Sequence, residues 1–249
     1  MDARSDADAP MQHRFDAEPF GSAYVTISSS EQGPVASSNS NRVTLCGTEE
    51  GLTAEGLTQI ADLFKQAGVK RYYVWLSPGP QIEVVRGWLV DAGMTPNPYV
   101  RYPTLARDAS PALPILTKIE VREIEFSEAK RIVECHEGIA FPDYARPPAE
   151  TSGWHYFAAF NNGEPIATAR LYVQGDLGYL GTAFTGEPFR RRGAQQALIV
   201  NRIDAAVALG CRVLISETLS ILTNSLSNLQ KAGFRTIFQK EVYEANIEG

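Results

Sequence analysis

The sequence predicts an α/β protein with a mixed sheet, laid out as two successive β-α-β-α-β runs. Two observations carry this. Runs with the two-residue alternation of a strand take turns with runs of helical spacing along most of the chain. In addition, two helix–glycine–strand junctions recur: Gly68 and Gly210 lie 142 residues apart, and Gly93 and Gly233 lie 140 apart. Nearly equal offsets fit a duplicated unit, while such junctions also occur in folds with no repeat.

The elements follow in order. Residues 1–18 are polar and read as a tail. SAYVTISSS (Ser22 onward) and RVTLCG (Arg42–Gly47) read as strands joined by a serine-rich connection. In the next run Leu57, Ile60 and Phe64 recur at helical spacing, Thr53 is placed to cap, and Gly68 ends the helix. RYYVWLS (Arg71–Ser77) is rich in aromatic and β-branched residues and reads as a strand. A helix from Pro80 to Gly93 and a strand PYVRYPTLA complete a first domain, residues 19–107. Residues 108–117, with two prolines, read as a linker to a second domain, 118–249.

That domain opens with the alternating strand KIEVREIE (Lys118–Glu125) and a helix that Ser127 could cap. A proline-rich loop, PDYARPPAETSG, leads to three strands, WHYFAAF, IATARLYV and LGYLGTAF. NNGE (Asn161–Glu164) is a hairpin turn between the first two. A helix to Gly210, a strand CRVLISE, a helix Leu222–Gly233 and FRTIFQKEVYEA, a long strand or strand pair, finish the chain.

Composition narrows the function. The net charge of -6 argues against bulk nucleic-acid binding, which needs a basic face, and leans towards a cationic partner. Three cysteines without a CxxC pair and three scattered histidines give no zinc pattern, so no metal is expected. Apolar runs fall short of the ~18 residues of a membrane span, and the N-terminus lacks an apolar signal core. A cytoplasmic protein without membrane partners is the expectation, with thiols kept reduced.

One stretch stands out. In FRRRGAQQAL, three arginines, Arg190, Arg191 and Arg192, crowd the start of a helix, whose N-terminus already carries about half a positive charge. Gly193 lets the backbone approach closely, and a helix start leaves several amides unpaired. Together they form a cradle for an anion.

The run YLGTAFTGEPFRRRGAQQALI resembles motif A of the GNAT N-acetyltransferase superfamily, R/Q-x-x-G-x-G/A, which falls here on Arg190 to Gln195. The later CRVLISE and LSNLQKAGF resemble that family's following strand, helix and closing Gly-Phe. The resemblance covers residue 118 to the C-terminus, and more weakly 42–107. It implies a tandem GNAT fold whose N-terminal copy is degenerate, because Glu49, Glu50 and Glu55 stand where the phosphate loop should be and would repel a pyrophosphate.

The resemblance implies an acyl-CoA-dependent N-acyltransferase, using acetyl-CoA as co-substrate and an amine as acceptor. The cofactor would meet Ala183, Phe184 and Thr185 on the strand and Arg190, Arg191, Arg192, Gly193, Ala194, Gln195 and Gln196 on the loop. Asn224 and Asn228 either bond the pantetheine arm or lie on an exposed helix face. Glu217, at the carboxyl end of its strand, is either the catalytic base or amine-orienting carboxylate, or a loop carboxylate. Asp143 and Tyr144 either line the acceptor pocket or belong to a surface loop. Trp154, His155 and Tyr156 either frame that pocket or pack as a strand, and His136 reads as structural or exposed.

Two positions depart from the family. Gln195 stands where glycine or alanine is usual, and Leu229 stands where the family's general-acid tyrosine falls. The second departure leaves room for a non-catalytic acyl-CoA sensor or interaction protein, and transfer of a longer acyl or an aminoacyl group is a third option. The chain is compatible with a monomer or a homodimer.

Overall fold

The computed structural model describes residues 11–27, 41–46, 51–112, 119–137 and 153–247. The chain forms two compact units, one of residues 1–102 with 238–249, the other of residues 103–237.

In the first unit, β1 (Met11–Ala17) and β2 (Gly21–Ile27) form an antiparallel hairpin, and β3 (Arg42–Cys46) pairs antiparallel with β2. β4 (Arg71–Leu76) runs parallel to β3, so a crossover must join them, and α1 (Ala54–Gln66) supplies it. Leu57, Ile60 and Phe64 form the buried stripe of α1. Phe64 stacks on Tyr72 with ring centroids 4.2 Å apart, and burial pushes the Tyr72 phenol up to about 12. α2 (Ile82–Asp91) adds Val85 and Leu89 to the same core and leads to β5 (Thr95–Asp108). The other neighbour of β4 is β11 (Arg235–Asn246), antiparallel through Glu241–Asn246.

The second unit contains β6 (Glu120–Ile124), α3 (Phe126–Glu137), β7 (Trp154–Asn161), β8 (Glu164–Gln174), β9 (Leu177–Thr185), α4 (Ala194–Ala208), β10 (Val213–Glu217) and α5 (Thr223–Lys231). Its strands lie in the order β5-β10-β9-β8-β7-β6. β9 and β10 are the parallel pair, crossed over by α4. β7 shows how the alternation divides the sheet: Phe157 and Ala159 join the core with Leu198 and Ile203 of α4, whereas Ala158 and Phe160 pack with Ile132 of α3. The β7–β8 turn has positive φ at Asn162 and Gly163, as an Asn-Gly hairpin turn requires.

The structure differs from the sequence reading in three places and decides between the two readings of the last segment. The stretch read as a polar tail contains β1, because His13, Phe15 and Ala17 find backbone partners in β2 despite their polar flanks. Ser127 lies inside the first turn of α3, which starts at Phe126, so it does not cap the helix. The last segment is one strand, β11. Residues 113–117 of the linker lie outside the described residues, and β5 extends to Asp108. The unit borders fall inside strands: β4 is flanked by the C-terminal β11, and β10 by Thr104–Asp108 of β5. Each unit is thus closed by a strand from the other half of the sequence. Among the described residues no helix is long and apolar enough to cross a membrane.

The β11 contact has a pH signature. Arg86 of α2 donates to Glu241 through Nε (3.1 Å) and Nη2, and to Glu83 through Nη1. Hydrogen bonds from Arg86 hold the Glu241 carboxyl below its ordinary value of 4.5. A carboxylate so depressed adds stability above its unfolded pKa, and that stability is lost as the pH falls through the folded pKa. Both side chains are partly exposed, so the contribution is about 1 kcal/mol at most. Glu241→Gln is therefore expected to unfold at lower denaturant than the parent at neutral pH, with the gap closing below pH 4.5. Denaturant titrations at both pH values check this, and a gap that does not change with pH would refute it.

Candidate active site

β9 and β10 pair from Leu177–Val213 to Leu180–Ser216 and no further. Ser216 Oγ closes this last rung by donating to the Leu180 carbonyl at 2.9 Å. Beyond it Gly181–Thr185 continues along β8, while Glu217 pairs with Thr104 of β5. The strands part at their carboxyl ends, where sheets of this kind receive ligands. The register of β8 on β9 shifts between Ala169 and Leu171, so Gly181 and Thr182 together face Arg170. Such a bulge re-aims the strand.

Arg202 secures the bulge from within. It is only 2% exposed and lies on the face of α4 that buries Leu198, Ile199 and Ile203. Its Nη1 donates to the carbonyls of Arg170 and Gly181, each at 3.1 Å, and its Nε to the Leu198 carbonyl at 3.1 Å. Burial pushes the guanidinium down to about 9, so it stays cationic at neutral pH, and no carboxylate pairs with it among the described residues. A positive charge therefore sits beside the point where the strands part.

After β9 the chain makes a 3-10 turn at Glu187–Phe189, becomes extended at Arg190, and enters α4 at Ala194. Arg191 (φ 63°) and Gly193 (φ 90°) are left-handed, a conformation found in anion-binding backbone nests. Gly193 caps α4 without a side-chain hydrogen bond. The amides of Arg191 through Gln196 donate to no carbonyl among the described residues. Arg190, Arg191 and Arg192 are exposed and solvated, which keeps their repulsion from the helix pole small. Arg190 Nε reaches the Thr185 carbonyl at 3.3 Å, and Arg192 lies over the Phe189 ring, 5.8 Å from its centroid.

α1 makes an instructive contrast. There Thr53 accepts from the Gly56 amide at 3.1 Å, with Glu55 in the first turn. One helix start satisfies itself and carries a negative charge; the other leaves its amides open among cations. Glu49 and Glu50 lie outside the described residues.

The sequence-derived candidates distribute as follows. Gln195, Gln196 and Asn228 form a network joining α4 to α5: Asn228 Nδ2 donates to Gln195 Oε1 (2.7 Å) and Gln196 Nε2 to Asn228 Oδ1 (3.3 Å). Gln195 also donates to Ser225 Oγ at 3.2 Å. Gln195, which departs from the family pattern, thus ties the two helices together. Asn224 is exposed, with no side-chain hydrogen bond among the described residues. Ala183 is exposed on β9, and Phe184 and Thr185 are half-buried beside the loop. Glu217 is half-buried and accepts from Thr104 Oγ1 at 2.7 Å. Leu229 is 4% exposed, packed in the core with Leu198 and Phe234. Asp143 and Tyr144 lie outside the described residues.

Two contributors escape sequence reasoning, and a third, His136, is read there only as structural or exposed. Thr104 comes from the other half of the chain. Arg202 had a signal, since helical spacing places it on the apolar face of α4, but a lone arginine in a helix invites a surface reading. His136, at the end of α3, places Nε2 2.7 Å from the Pro165 carbonyl. A carbonyl only accepts, so Nε2 carries the proton. The ring lies against Phe184, Phe189 and Gly186, where the loop begins.

Comparison with known proteins agrees with this geometry. Residues 119–234 match the family described as Acetyltransferase (GNAT) family. A GCN5-related N-acetyltransferase from Kribbella flavida superposes with a TM-score of 0.66 at 15% identity, covering 98% of this chain and 91% of that one. A GCN5-related N-acetyltransferase from Sphaerobacter thermophilus gives 0.60 at 15%, covering 94% and 80%. A tandem GNAT protein from the clavulanic acid biosynthesis pathway gives 0.60 at 10%, covering 92% and 83%. At such identities these structures establish the fold, which is the GNAT fold, and nothing finer. No curated protein matches the sequence.

The loop's seat can be tested at Gly186. A Cβ there would meet His136 Nδ1 at 2.9 Å, and the ring is pinned on its far side by Pro165. Gly186→Ala should lower stability by about 1–3 kcal/mol, the usual cost of overpacking. Adding His136→Ala makes room, so the double variant should lose less than the sum of the singles. Denaturant unfolding of the four proteins measures the coupling, and strict additivity would show that the contact carries no strain.

Proposed function

We propose that this chain is an acyl-CoA-dependent N-acyltransferase that transfers acetyl from acetyl-CoA to an amine by direct attack in a ternary complex, a reading supported by the match of residues 119–234 to the GNAT acetyltransferase family. The observation that carries the reading is the uncapped start of α4 beside the parting of β9 and β10. The residues present fit the co-substrate. Arg191 through Gln196 offer amides to its pyrophosphate, Arg190 and Arg192 add charge, and the free edge of β9 at Gly181–Thr185 offers backbone groups to the pantetheine arm. Bound there, acetyl-CoA supplies an activated thioester.

Glu217 is the base in this reading. Thr104 holds the carboxylate in place, and the carboxylate takes the acceptor's proton or orients the amine. Backbone donors on the freed edge of β9 and the nearby Arg202 charge favour negative charge developing at the acyl oxygen. The first unit, with a self-capped α1, has a structural role. Leu229 favours a second reading, an acyl-CoA-binding protein without turnover, because a core leucine donates no proton.

Calorimetric titration with acetyl-CoA, and with pantetheine as the phosphate-free control, tests the first step. Acetyl-CoA should bind and pantetheine should bind far more weakly. Gly193→Asp should weaken acetyl-CoA by at least about 100-fold, since it loses the left-handed backbone and brings an anion to an anion site. Failure of the parent protein to bind acetyl-CoA would overturn the reading. Glu217→Gln should lower kcat/KM by about 10²–10⁴ with acetyl-CoA affinity unchanged. Binding with no thiol release over a broad amine panel would select the non-catalytic reading.

A further inference from the structure

The face of the second unit's sheet opposite α4 carries a polar cluster that neither the loop nor Glu217 uses. Trp154, Tyr172 and Tyr179 are register partners on β7, β8 and β9, and Tyr156 pairs with Arg170 one step along. Tyr156 is only 8% exposed, and its hydroxyl is shut off from solvent with no hydrogen-bond partner among the described residues. The indole N–H of Trp154 is in the same state. The Arg170 guanidinium lies over the Trp154 ring, with Cζ 4.5 Å from the centroid. Its charge also acts on the Tyr156 phenol, drawing it down against the larger upward push of burial.

The cluster reaches the place where the strands part. A Cβ at Gly181 would meet Arg170 Cγ and Nε at 3.1 Å, so the Arg170 side chain runs across Gly181. Gly181 is the first residue of β9 beyond its last rung with β10. The Arg170 side chain therefore lies over the first residue of the β9 edge along which an acyl group would lie.

The cluster is rich in donors. An indole N–H and a guanidinium only donate, and a phenol can donate. Native folds leave few buried donors without an acceptor, and two unpartnered polar atoms beside a cation call for oxygen. A carboxylate offers two oxygens and a charge, and matches a guanidinium in plane. We propose that Arg170, Tyr156 and Trp154 anchor a carboxylate of the acceptor, so that the acceptor is a small amine carrying that carboxylate within a few bonds, an amino acid. This deepens the acyltransferase reading and rests on it. It runs against the lean towards a cationic partner drawn from net charge, because local donors decide what a pocket accepts.

The test compares L-amino acids with the corresponding amino-acid amides, which keep the amine and lose the carboxylate. Each pair is titrated calorimetrically into the full chain saturated with CoA, and assayed for thiol release with acetyl-CoA. At least one amino acid should bind at least about tenfold tighter than its amide and be acetylated with the same preference, since a site built for a polar group rejects the analogue lacking it. Arg170→Gln should erase the preference while CoA affinity stays unchanged. Tyr156→Phe removes only a hydroxyl and should reduce the preference without unfolding risk. The proposal is overturned if no amino acid binds better than its amide, or if both variants weaken the two members of a pair equally. Selective binding without thiol release would leave the anchor standing and remove the acyltransferase reading. Acetylation indifferent to the carboxylate would do the reverse.

Discussion

The second unit is organised around backbone amides left unpaired at the start of α4. Any helix exposes such donors, and most chains close them with a serine, threonine, aspartate or asparagine at the cap. Here the cap is Gly193, which has no side chain to offer. What surrounds it follows from leaving that end open. The arginines stay in solvent, where their mutual repulsion is weak until an anion arrives. His136 fixes the loop from below through the Pro165 carbonyl, and Gln195 and Asn228 fix α4 to α5. A rigid frame of this kind keeps open amides in place without a ligand to order them.

The parting of β9 and β10 is the second constraint, and Arg202 ties it to the first. Freed strand edges expose carbonyls as well as amides, and those of Arg170 and Gly181 are taken by Arg202 from the α4 side. The same helix whose N-terminal amides are open thus supplies, from its third turn, the cation that holds the bulge. Burying a guanidinium against carbonyls alone is expensive for stability, which is why such groups are rare outside functional sites. The start of α1 in unit 1 is closed instead: Thr53 caps it, and its carboxylate Glu55 suits the helix pole. The two helix starts illustrate how one local substitution, threonine or glycine at the cap, separates a closed end from a ligand-ready one.

Much of this was legible in the sequence because it is local. The stripe Leu57, Ile60, Phe64, the Thr53 cap, the Asn162–Gly163 turn and the glycine at the α4 start each declare themselves within a few residues. The exchange of β5 and β11 between units was not legible, since pairing between distant strands leaves no periodic trace. Glu217 could be picked out by its place at a strand end, but its partner Thr104 could not, because the register of β10 on β5 is a tertiary fact. β1 was hidden for a different reason: a strand at a sheet edge is held by backbone pairing with a single neighbour, so its polar composition imitated a tail.

Leu229 bears on which proton matters under the acyltransferase reading. Its burial with Leu198 and Phe234 places an apolar side chain where the family pattern has a tyrosine. The loss is smaller than it first looks. A thiol of ordinary acidity, near 8.5, leaves as a thiolate that water can protonate at modest cost, whereas an amine of pKa about 10 must shed its proton before it can attack at all. Removal of that proton is the harder task, and it falls to Glu217 on its Thr104 support. A cation beside the acceptor helps in the same direction, because Arg170 and Arg202 both disfavour an ammonium and so bring the neutral, nucleophilic amine within reach of neutral pH. Under the acyltransferase reading, the site works on the amine and leaves the thiolate to solvent.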